Sequence, residues 1–196
     1  MDPNDRAVPG VARDFLRSKG IANPVIEIKQ ALRVDLEGDG QDETVMIARH
    51  IDTRETAAAQ VIRKGSYSFL IVQKMIAGKM ANIVIGSDIY TRDTVMGQSS
   101  PKDFEVTAIL DLDRDGTMEV VVYTREYESA YTREFQIVNG KAVGVLTAGC
   151  GAQDPKTHSN EPKGDTNESI YPVSLALQHV RTGTTDLLDQ QCSRRF

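Results

Sequence analysis

Carboxylates recur at every second position in two short stretches of the chain, and each stretch turns on an Asp-Gly pair. Residues 34–47 read VDLEGDGQDETVMI and residues 110–123 read LDLDRDGTMEVVVY. Both have the form acid-x-acid-x-Asp-Gly-x-x-Glu. The first offers Asp35, Glu37, Asp39 and Glu43; the second offers Asp111, Asp113, Asp115 and Glu119. On a tight turn, carboxylates spaced in this way can converge on one point, and Gly40 or Gly116 permits the positive φ that bends the chain. The carbonyls of Gln41 and Thr117 would then point inward. Four side-chain donors and one carbonyl, completed by water, make a hard-cation site. Calcium suits it best, because it takes about six to eight oxygens in flexible geometry, whereas magnesium holds to a rigid octahedron rich in water. The expectation is Ca2+ at two sites.

An EF-hand does not fit. It needs a bidentate Glu at the twelfth loop position and a helix after it. Those positions hold Met46 and Val122, and both loops run into strand-forming residues. The plain alternative is that Asp-Gly between two strands is a solvated hairpin turn. Two copies at matched positions favour the metal reading, since four carboxylates crowded in one turn repel each other unless a cation or protons intervene.

No other constellation in the chain organises chemistry. None of the three histidines, His50, His158 and His179, lies in a metal-binding pair. His50 reads as a strand-end residue. There is no G-x-S-x-G elbow, phosphate loop or dinucleotide fingerprint. Cys150 and Cys192 allow one disulfide, which their spacing does not assign. No catalytic residue and no organic cofactor is expected.

The elements that must hold the loops form an internal repeat. Asp35, Leu36, Asp39, Gly40, Glu43 and Val45 coincide with Asp111, Leu112, Asp115, Gly116, Glu119 and Val121 at an offset of 76 residues. Around the first loop, VIEIKQALRV (25–34), ETVMIARH (43–50), YSFLIVQKM (67–75) and MANIVIGSDIY (80–90) read as strands. Around the second, FEVTAILDL (104–112), MEVVVYTREY (118–127), AYTREFQIV (130–138) and KAVGVLT (141–147) do the same. Asn139-Gly140 marks a hairpin, and Ala77-Gly78 stands in the matching place. Each repeat therefore reads as four antiparallel strands, with its acidic loop joining the first and second.

Residues 53–64, TRETAAAQVIRK, read as a short helix or a long loop, and 91–103 as the linker between repeats. Ahead of them, Val8, Val11, Ala12, Phe15 and Leu16 form one face of an amphipathic helix that ends at Gly20. The expected organisation is an N-terminal helical segment (1–24), a tandem β domain (25–152, repeats 25–90 and 104–148) and a polar, largely disordered tail (153–196). Residues 153–169 contain no hydrophobic side chain.

The loops resemble the calcium loops of FG-GAP and VCBS repeats, as in integrin-type β-propeller blades. The resemblance covers about residues 25–152, and the loops are its specific part. It lacks an F-G-x-G-A-P string, and Glu37 stands where the family has Asp or Asn. It implies that Asp35, Glu37, Asp39, Gln41 (through its carbonyl) and Glu43 ligate one ion. Asp111, Asp113, Asp115, Thr117 (through its carbonyl) and Glu119 would ligate the other. It also implies a secreted or cell-surface setting, with an extracellular protein or glycan as partner. The chain's start shows no apolar signal-peptide core.

The fold expectation is mainly β: two consecutive four-stranded, propeller-blade-like repeats packed as a sandwich or barrel-like unit, with a short N-terminal helix. Two repeats are too few to close a propeller. Composition agrees with a globular domain: 40% hydrophobic and 26% charged residues with a net charge of −5. That balance argues against a nucleic-acid binder, which needs a basic patch. No apolar run approaches the roughly 20 residues of a membrane-spanning helix. The functional expectation is a calcium-binding, non-catalytic structural or interaction module. A hydrolase with an acidic cleft between the sheets, and a metal-free structural domain, are the alternatives.

Overall fold

The structure, a computed structural model, describes residues 7–97, 100–127 and 129–151. The tail expected after residue 152, and Cys192 with it, lie outside the described residues. Among the described residues, one helix and eleven strands follow in order. Helix α1 spans Ala7–Ser18. The first repeat supplies β1 (Ile28–Val34), β2 (Glu43–His50), β3 (Thr53–Glu55), β4 (Gln60–Ile62), β5 (Tyr67–Ile76) and β6 (Lys79–Ile89). Then come β7 (Thr94–Val95), β8 (Asp103–Leu110), β9 (Glu119–Arg125), β10 (Ser129–Val138) and β11 (Lys141–Gly151).

Two four-stranded antiparallel sheets carry the repeats, in the orders β1-β2-β5-β6 and β8-β9-β10-β11. Each acidic loop joins the first and second strand of its sheet, as the repeat predicts. Both distal hairpins turn through two residues of positive φ: Ala77 and Gly78 in the first repeat, Asn139 and Gly140 in the second. That backbone matches the right-handed twist of the flanking strands, which is why Asn-Gly favours it.

The two sheets share one apolar core. Leu36, Val45, Ile47, Leu70, Val72 and Ile83 from the first meet Phe104, Val106, Val120, Val122 and Ile137 from the second. The approach is tight at β6, where a Cβ on Gly86 would lie 2.8 Å from the Phe104 ring. Gln30 stitches the sheets further: its side-chain amide donates to the Val106 carbonyl at 3.1 Å and its oxygen accepts from the Val106 N–H at 3.0 Å.

The opposite face of the first sheet is covered by α1. Val8, Ala12, Phe15 and Leu16 pack on Ala31, Met46, Ala48, Tyr67, Phe69 and Ile71. The first sheet is therefore a middle layer. This explains why β5 begins with six consecutive buried residues, whereas β9 shows alternation after its start. The helix stops where expected: Gly20 has a φ of 95°, and Ile21 N–H returns to the Leu16 carbonyl at 3.0 Å.

One expectation is corrected. Residues 53–64 are neither helix nor long loop. They form the β3–β4 hairpin, and β7, from the segment read as a linker, adds a third strand to make a separate sheet. Val61 and Ile62 are buried there, and Thr56 closes the turn by accepting from Ala59 N–H. Burial of two β-branched residues outweighs the helix preference of three alanines, too few to sustain a helix alone.

Candidate metal centre

The two acidic loops lie side by side at one end of the paired sheets. The Met118 N–H at the end of the second loop donates to the Leu36 carbonyl in the first at 2.7 Å. Their backbones follow the same plan. Gly40 and Gly116 have φ of 84° and 90°, as the sequence predicts. Two positions earlier, Gly38 (69°) matches Arg114 (65°), so the second loop holds a non-glycine residue in the left-handed region.

The glutamates that end the loops also match. Glu43 and Glu119 are each 3% exposed. Glu43 Oε2 accepts from Leu36 N–H at 2.9 Å, and Glu119 Oε2 accepts from Leu112 N–H at 2.8 Å. Each thus ties the first strand's exit to the second strand's entry, and Glu43 pairs a buried donor, Leu36 N–H, that would otherwise be orphaned. The leading aspartates do the same job inside the turn. Asp35 Oδ2 accepts from Gly40 N–H at 2.7 Å, and Asp111 Oδ2 accepts from Gly116 N–H at 3.1 Å. Gln41 and Thr117 donate their N–H groups to Asp39 and Asp115 at 2.8 and 2.7 Å.

The side chains then diverge. In loop 2, Asp111, Asp113 and Asp115 each bring a carboxylate oxygen within 4.8 Å of the others. An ion that sits at roughly 2.4 Å from each ligand places opposite ligands about 4.8 Å apart, so the three oxygens fit one calcium-sized shell. Among the described residues this is the group of acidic side chains that meets that test. Asp111 Oδ1 is buried there without a hydrogen-bond partner. A buried, unpaired carboxylate oxygen is costly, and a cation would satisfy it.

In loop 1 the corresponding oxygen is paired: Asp35 Oδ1 accepts from Asp39 N–H at 3.0 Å. Glu37 turns away from the tip and pairs with the ammonium of Lys74 on β5, which also stands 3.4 Å from Glu43 Oε1. The Lys74 side chain is only 16% exposed. Asp42 at the rim pairs with Arg33 at 3.4 Å.

Proton affinities follow these contacts. The hydrogen bond from Gly40 N–H, with help from Asp39, holds the Asp35 carboxyl below its ordinary value. The Thr117 N–H does this for Asp115. Burial pushes Lys74 down, but the hydrogen bond to Glu37 and the charges of Glu43 and Glu37 outweigh it, so its pKa is raised. Beside loop 2, Glu134 on β10 is raised by burial first and by the charge of Glu119 second.

Of the sequence-derived ligands, the structure thus gathers Asp111, Asp113 and Asp115. Glu119 and Glu43 brace their loops. Asp35 and Asp39 are engaged by turn N–H groups, and Glu37 is engaged by a lysine. Gln41 and Thr117 stand at the matching turn positions. Lys74 and Gln136 are the residues that sequence reasoning missed. Their signal was a lysine near the end of the apolar run YSFLIVQKM, in the strand that pairs with β2. No protein-family model, no curated protein and no solved structure matches the chain, so the likeness to FG-GAP and VCBS calcium loops rests on the two loops and the strands that carry them.

Proposed function

We propose that this chain is a calcium-binding, non-catalytic structural or interaction module of an exported or cell-surface protein. The observation that carries the reading is the convergence of one carboxylate oxygen each from Asp111, Asp113 and Asp115 on the exposed turn, in a loop where Asp111 Oδ1 has no hydrogen-bond partner. The role of the ion is structural. It would neutralise the turn between β8 and β9, hold that turn against the neighbouring loop, and stabilise the folded state by binding it in preference to the unfolded chain. Strand β11 leaves Val143, Val145 and Leu146 exposed, a surface on which an extracellular protein or glycan would dock.

The test is a thermal melt at neutral pH in excess EDTA, repeated with millimolar calcium or magnesium. Calcium at about 100 times its dissociation constant adds about 2.7 kcal/mol per site, a shift of several degrees for a domain of this size. A calcium-selective rise that disappears in Asp115→Ala supports the reading. The absence of any shift with either metal sinks it.

A further inference from the structure

The antiparallel register makes the two loops directly comparable. In the first sheet Val45 pairs with Val72, and in the second Val121 pairs with Glu134. Extended two residues from these pairs, each register sets the loop-ending glutamate opposite one residue of the third strand: Glu43 opposite Lys74 and Glu119 opposite Gln136. The same place in the two sheets therefore holds a cation in one and a neutral amide in the other. Lys74 reaches Glu37 and Glu43. Gln136 instead donates its amide to Asp115 Oδ2 at 3.0 Å, which tethers that carboxylate without cancelling its charge.

We propose that Lys74 is the resident counter-ion of loop 1, that its ammonium takes the electrostatic role a divalent cation takes at loop 2, and that the chain binds one calcium ion. This rests on the calcium reading of loop 2. A divalent ion entering loop 1 would meet an ammonium already held by two of the four carboxylates it needs. Displacing that ammonium leaves it partly buried beside two positive charges, and like charges at such separations oppose binding strongly. Among the described residues, no cation pairs with the carboxylates of loop 2. Arg114 is exposed at its tip, and the nearby Glu134 adds negative charge. The residue at the Lys74/Gln136 position is thus the determinant of which loop takes a metal.

The experiment is calcium titration of the full chain by calorimetry after EDTA treatment, with calcium chloride as the only probe. Wild type should bind one ion, Lys74→Gln two and Lys74→Arg one. Gln136→Lys should weaken the loop 2 site by about a hundredfold or more. Two ions bound by wild type, or one ion still bound by Lys74→Gln, overturns the inference while leaving the calcium reading intact. No binding by wild type or by Lys74→Gln overturns both. Should Lys74→Gln fail to fold, Gln136→Lys decides: an unchanged affinity at loop 2 refutes the role given to this position.

Discussion

Loop 1 and loop 2 share a backbone path and differ in what balances their charge. Both turn at a glycine of positive φ, both tie a strand entry to a strand exit through a buried glutamate, and both begin with an aspartate that accepts from the turn. Loop 1 has two of its four carboxylates, Glu37 and Glu43, paired with the ammonium of Lys74 on β5. Loop 2 gathers three aspartates with a neutral glutamine at its side and one buried oxygen without a partner. The same backbone path therefore carries two different arrangements of charge. On the proposed reading, the residue on the third strand, distant in sequence, decides whether the acids need an external charge.

The largest way to break the comparison is to remove the lysine in the absence of metal. Lys74→Met strands Glu43, which is 3% exposed, beside Glu37, and should cost about 2–3 kcal/mol in an EDTA denaturant melt. Gln136→Leu at the matching position loses a hydrogen bond to an exposed carboxylate and should cost less than about 1 kcal/mol. Equal costs would mean that the two loops are balanced alike.

Isosteric loss of charge sharpens the contrast by giving the loops opposite signs. Glu43→Gln keeps an acceptor for Leu36 N–H but weakens the pairing with Lys74, and should destabilise the metal-free protein by about 1–2 kcal/mol. Glu119→Gln keeps the acceptor for Leu112 N–H and removes a charge that repels Glu134. In EDTA it should be neutral or stabilising by about 0.5 kcal/mol. Chemical denaturation of both variants at neutral pH checks the pair.

A smaller effect separates the loop tips. Gly38→Ala places a side chain at a φ of 69° and should cost about 1 kcal/mol, because that conformation crowds Cβ against the backbone. Arg114→Gly, at the matching 65°, should change metal-free stability by less than about 1 kcal/mol, since relief of strain is offset by the freer unfolded chain. Thermal melts in EDTA read both.

The smallest effect near neutrality is that of pH, and it differs on the two sides. Asp35 and Asp115 are both depressed, so their contribution is present above the ordinary aspartate value of 3.8 and is lost as pH falls through their lower folded values. Both loops should soften together in acid. Lys74 is raised, so its contribution is fully present below the ordinary lysine value of 10.5 and is lost as pH rises through its higher folded value. Alkaline softening should appear in loop 1 alone. Amide hydrogen exchange at Gly40 and Gly116, followed across pH, reports each loop separately.

Much of this architecture is legible in the sequence because its signals are local. Alternating β-branched runs, Asn139-Gly140, the repeated Asp-Gly turns and the apolar stripe of α1 each name their element without help from the rest of the chain. The β3–β4 hairpin was hidden because its strands are three residues long and gain their reason from burying Val61 and Ile62 and from pairing with β7. The acidic loops could be found from spacing. Their inequality could not, because Lys74 and Gln136 lie at different distances from their loops in sequence and become equivalent only once the strands are paired. The bracing role of Glu43 and Glu119 was likewise concealed, since a ligand and a backbone acceptor look the same in a motif.

The most direct test of the central claim is a calcium titration of the isotopically labelled, metal-stripped protein, followed by the backbone amide resonances of the two loops. The account predicts saturable movement of Gly116 and Thr117, while Gly40 and Gln41 move little. Saturable movement of both loops alike, or of neither, would contradict it.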